Sequence, residues 1–76
     1  MIRIRFKDAA EAASFVKIIN RFEEDVNLYD GKNILDAKSI VSIMGLDFKK
    51  KFTLDIMTDN KRVIKEFEEA VKYYEA

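Results

Sequence analysis

The sequence predicts an α+β protein: a four-stranded antiparallel sheet with three helices on one face, in the order βαββαβα. Three observations predict it. Apolar and polar residues alternate in short runs, the pattern of strands with one buried face. Two longer stretches, 8–22 and 60–74, repeat apolar residues every three or four positions, as amphipathic helices do. Between two of the short runs stands Asp30-Gly31, a hairpin dipeptide.

Ile2, Ile4 and Phe6 alternate with Arg3, Arg5 and Lys7, which makes 1–7 a half-buried strand. Asp8 followed by Glu11 reads as a capping box. Ala12, Phe15, Val16, Ile19 and Phe22 then mark a helix of about four turns. Val26 and Leu28 alternate with Asn27 and Tyr29 before Asp30-Gly31, whose two central positions suit a type I′ turn. Residues 33–37 form the return strand, with Leu35 and Ala37 expected inside rather than Ile34. Ser39 is a good N-cap and Gly45 a stop, so the segment between them reads as two helical turns. Phe52, Leu54 and Ile56 alternate in a fourth strand. Asp59 or Asn60 caps the last helix, with Val63, Ile64, Phe67, Val71 and Tyr74 as its apolar stripe. Helices covering one face leave Arg3, Arg5, Asn27, Thr53 and Asp55 on an open face, a two-layer packing.

The totals narrow the function. At 76 residues the chain is a single domain, 1–76. It holds no Cys and no His, so thiol chemistry, phosphohistidine and the commonest metal ligand and general base are all excluded. Lys+Arg and Asp+Glu both number 14, leaving no net field to draw in nucleic acid or an anionic membrane. Lys49-Lys50-Lys51 is read as a solvated loop, and the Glu23/Glu24 and Glu68/Glu69 pairs as surface charge. No run approaches the roughly 20 apolar residues of a membrane span, so a soluble cytoplasmic protein is expected. The reading is of a non-enzyme with no cofactor and no metal.

Asp25-Val26-Asn27-Leu28, Asp30-Gly31-Lys32, Lys38-Ser39-Ile40 and Met44-Gly45-Leu46 resemble the middle of HPr, the small phosphocarrier of bacterial sugar phosphotransferase systems. That family typically reads DVNL, an NGK turn, and KSIMGVMSLG, and the turn here is shifted by one residue. The resemblance in element order spans nearly the whole chain, and its specific residues lie between Asp25 and Leu46. It implies the HPr-like open-faced β-sandwich.

The family carries its phosphate on a histidine, followed closely by an arginine and a proline, at the start of the first helix. Here Lys7 runs directly into Asp8-Ala9-Ala10-Glu11. Aligned backwards from Ser39, Asp8 stands at the histidine's place and Ala10 at the arginine's. An incoming phosphate there would meet a carboxylate instead of donors.

Two features survive the loss. Ser39 corresponds to the serine that a dedicated kinase phosphorylates in many Gram-positive members, although helix capping alone explains a serine there. Ile40, Val41, Met44 and Leu46 correspond to an apolar patch that docks partner proteins, and two helical turns are too short to bury them all. The resemblance therefore implies a non-catalytic regulatory or adaptor protein. Its partner would be an HPr kinase, a transcriptional or transport regulator, or a second copy of the chain, with neither nucleic acid nor membrane. The alternatives are a phosphocarrier using another residue, such as Asp8, and a small nucleic-acid-binding module using Arg3, Arg5 and Tyr29.

Overall fold

The computed structural model describes all residues 1–76. Its strands are β1 (Ile2–Ile4), β2 (Val26–Asp30), β3 (Asn33–Asp36) and β4 (Phe52–Ile56), and its helices are α1 (Ala9–Ile19), α2 (Ile40–Met44) and α3 (Lys61–Val71). A 3-10 turn, Lys72–Tyr74, extends α3. The order is βαββαβα, as the periodicities predict. The strands lie β1-β4-β2-β3, antiparallel throughout. The core is wholly apolar: Ile4 and Phe6, then Leu28, Phe52 and Leu54 from the sheet side, meet Phe15, Ile19, Ile43 and Phe67 from the helices. Phe6 is its aromatic centre, with ring centroids 4.9 Å from Phe15 and 5.9 Å from Tyr74. Leu35 and Ala37 turn inward and Ile34 outward, as expected.

Three local expectations are corrected. Helix α1 has 11 residues, about three turns rather than four. Asn20 ends it because its side-chain amide donates to the Val16 carbonyl (2.8 Å) and also to the Lys38 carbonyl (3.1 Å). Phe22, beyond the helix, still packs edge-on against Phe67. The hairpin loop is Gly31-Lys32, since Asp30 pairs with Asn33. Gly31 has φ +58° and is the only residue with positive φ, which is the pattern of a type II′ turn rather than type I′. Gly45 ends α2 in right-handed conformation (φ −83°), so this stop does not draw on glycine's freedom.

The caps match the sequence reading. Asp8 Oδ1 accepts the Glu11 N–H at 2.9 Å. For the last helix the capping residue is Asn60, whose Oδ1 accepts from the Arg62 and Val63 N–H groups. The outer edge of β1 is closed by the C-terminal segment: Arg5 N–H donates to the Tyr74 carbonyl and Ala76 N–H to the Arg3 carbonyl. No helix is long and apolar enough to cross a membrane.

Candidate functional site

Two places need building from their residues: the start of α1 and the segment Ser39–Leu46. At the start of α1 three hydrogen bonds tie Asp8 and Glu11 to their surroundings. Glu11 Oε1 accepts the Lys7 N–H at 2.8 Å, and Glu11 Oε2 accepts the Tyr73 O–H at 2.9 Å. Asp8 takes the Glu11 N–H. The hydrogen bond to Glu11, then its charge, holds the Tyr73 phenol above its ordinary pKa. Burial, then the charge of Glu11, does the same for Tyr74. An open cleft beside these groups is lined by Arg5, Lys7 and Lys51 together with Glu11, Tyr73 and Glu75. Charges of both signs line it. Tyr73 is the residue that the sequence reading missed, and nothing local signals a contact between residues 62 apart in the chain.

Ser39 is held from both directions. Its N–H donates to the Asp36 carbonyl (3.1 Å), and its own carbonyl accepts the Ile43 N–H (3.0 Å). Its Oγ accepts the Ser42 N–H at 3.3 Å, so the hydroxyl caps α2. Upstream, Asp36 Oδ1 accepts the Lys38 N–H (2.9 Å), while the Lys38 ammonium reaches across to the Phe22 carbonyl. With Asn20 on the Lys38 carbonyl, the entrance to α2 is tied to the exit of α1.

Beyond Ser39 the apolar side chains divide. Ile43 is fully buried, whereas Val41 is 82% exposed, Ile40 44% and Met44 37%. Leu46 is half-buried and packs against the core, so the exposed set is Ile40, Val41 and Met44. Beside Ser39 in the chain, the Lys38 ammonium is engaged with the Phe22 carbonyl. Lys50 lies 3.9 Å from the Asp30 carboxylate.

No group of three or more His, Cys, Asp or Glu side chains is arranged to hold a metal ion. A family model, that of the PTS HPr component phosphorylation site, matches residues 8–75. The chain belongs to the HPr family. Among solved structures it is similar to the Bacillus subtilis catabolite repression protein Crh, with a TM-score of 0.65 and 26% identity over 96% of this chain and 87% of that one. The Crh crystal is described as an intertwined dimer with a swapped domain. No curated protein matches the sequence. The chain has no histidine anywhere. Where the resemblance puts the phosphorylated histidine, the chain has the hydrogen-bonded Asp8–Glu11–Tyr73 arrangement.

Proposed function

We propose that this HPr-family protein is a non-catalytic regulatory or adaptor protein that docks partner proteins through Ile40, Val41 and Met44, with Leu46 at the rim, and that phosphorylation of Ser39 switches the docking. The observation that carries the reading is the exposure of three neighbouring apolar side chains on a five-residue helix. Clustered exposed apolar residues mark interaction surfaces, and a flexible Met adapts to different partners. Phosphate transfer in the family's manner is disfavoured on chemical grounds. The Glu11 N–H of the first turn of α1 already has the Asp8 carboxylate as its acceptor, and a dianion arriving there would be repelled by Asp8 and Glu11.

A phosphate on Ser39 would add about −1.5 to −2 charges immediately beside Ile40 and Val41. The nearest lysine in sequence, Lys38, is committed to Phe22. The added charge would be offered to a partner, favouring one that brings Arg or Lys beside an apolar contact. The resemblance to the family's regulatory serine supports this choice of residue. Crh, described as a catabolite repression protein, supports a regulatory role of the same kind.

Intact-mass and fragment analysis after incubation with ATP and an HPr kinase tests the switch. Phosphate on Ser39 that disappears in Ser39→Ala is the expected result, and an unmodified chain would refute it. Val41→Asp tests docking: the melting temperature should hold while partner capture is lost. Unchanged capture would remove the patch from the proposal.

A further inference from the structure

The two edges of the sheet are treated differently. The β1 edge is covered by the C-terminal segment, through Arg5 to Tyr74 and Ala76 to Arg3. The β3 edge is uncovered. Its hydrogen-bonding phase follows from one bond: Ala37 N–H donates to the Val26 carbonyl, in the same register that pairs Leu35 with Leu28 and Asn33 with Asp30. In an antiparallel ladder the groups alternate in direction, so residues 33, 35 and 37 face β2. Ile34 and Asp36 therefore turn their N–H groups to the free edge. Ile34 is also 61% exposed. An uncovered edge carrying an exposed apolar side chain is a template for another strand.

We propose that a second copy of this chain docks on the β3 edge, antiparallel and with a two-fold axis at Ile34, making a continuous sheet across the pair. The register follows from charge. On the open face, Asp55 pairs with Asn27 and Asn27 with Asp36, a row with two carboxylates and no cation. With Ile34 opposite the partner's Ile34, Asp36 stands opposite the partner's Lys32, so the acidic row gains a lysine on each side of the axis. The same register joins Tyr29 and Ile34, already paired across β2 and β3, to the partner's Ile34 and Tyr29 in one apolar row. Shifting the axis to residue 35 sets Lys32 against the partner's Lys38 and Ile34 against Asp36. Shifting it to residue 36 sets Asp36 against Asp36. Opposite charges on facing strands stabilise and like charges destabilise, which selects the first register.

The test uses the full chain. Sedimentation velocity from micromolar to millimolar concentration should show a monomer–dimer equilibrium. The Ile34 and Asp36 amides should exchange more slowly with deuterium as concentration rises. Lys32→Glu places like charges at two symmetric contacts and should weaken dimerisation about tenfold; adding Asp36→Lys should restore it. Because Asp36 also accepts the Lys38 N–H, Ile34→Lys serves as a variant that removes no side-chain hydrogen bond, and it should abolish the dimer. A chain that stays monomeric at millimolar concentration overturns the proposal. So does a dimer that is indifferent to Lys32→Glu and Ile34→Lys, whether swapped or joined through α2.

Discussion

If the start of α1 has become a structural cap, removing Asp8 must cost stability in a particular way. Asp8→Ala deletes the acceptor of the Glu11 N–H, a bond of 2.9 Å, and one carboxylate from the positive end of the helix. The site is exposed, so water replaces part of the lost bond, and the capping loss is about 1 kcal/mol. The charge contributes a further share, about 0.3–1 kcal/mol at low ionic strength. Asp8→Asn keeps an oxygen acceptor and loses the charge alone. In a domain of this size each kcal/mol moves Tm by about 4–8 °C. Thermal unfolding followed by circular dichroism, at low salt and at about 0.5 M salt, separates the two parts. Asp8→Ala should melt lower under both conditions. Asp8→Asn should melt lower only at low salt. Equal losses in the two variants at high salt, or a wild-type Tm for Asp8→Ala, would refute the capping account and reopen the position to other chemistry.

Phe6→Ala empties the aromatic centre and should cost about 3–5 kcal/mol, a large part of the roughly 4–11 kcal/mol expected of a chain this long. The urea midpoint reads it, and a loss below about 1 kcal/mol would mean that the core closes over the gap. Gly31→Ala forces φ +58° on a residue with a side chain, although a Cβ there meets nothing within 4 Å. The cost is then backbone strain alone, about 1 kcal/mol, and Gly31→Asn should lose less. Tyr73 and Tyr74 both have raised pKa values in the fold, so the neutral phenols favour the folded state. Their contribution is complete below the ordinary tyrosine value of about 10 and is lost as pH rises through the higher folded values. Denaturation series across that alkaline range should show the decline, with a shallower slope in Tyr73→Phe.

Sequence periodicity carried the architecture because it reports which face of an element is buried. Ile2 and Ile4, and Phe52, Leu54 and Ile56, needed no knowledge of their partners to be placed inside. The Asp8–Glu11 spacing was legible for the same reason, since a cap is settled within one turn. What escaped depends on distant residues. Helix α1 ends at Ile19 because Asn20 finds the Lys38 carbonyl 18 positions away, so an apolar residue in phase at Phe22 was misread as helical. The hairpin moved by one residue because β2 runs on through Asp30 to pair with Asn33, leaving Gly31 as the first loop residue. Between Ser39 and Leu46, helical spacing named the apolar residues but not how α1 and β3 divide them. Ile43 is swallowed, Leu46 is half-covered, and Val41 is left outside.

The hydrogen bonds at the start of α1 bear on the rest of the surface. Glu11 binds Lys7 and Tyr73 together, fastening the C-terminal segment near α1, while the same segment closes the β1 edge. That end of the molecule is held together by hydrogen bonds within the chain. Exposed apolar side chains stand on α2 and, at Ile34, on β3, and α2 packs against β3. Asp36 joins the two: its carbonyl accepts the Ser39 N–H, its Oδ1 accepts the Lys38 N–H, and its own N–H faces the open edge. A charge placed on Ser39 thus arises one hydrogen bond from the residue that the dimer register pairs with Lys32. If both proposals hold, a phosphate there should oppose the acidic row less than it attracts the facing lysine only when Lys32 is retained. Dimer affinity measured with and without Ser39 phosphate, in wild type and in Lys32→Glu, separates an electrostatic link from a conformational one. An electrostatic link changes sign with the charge at position 32, and a conformational one does not.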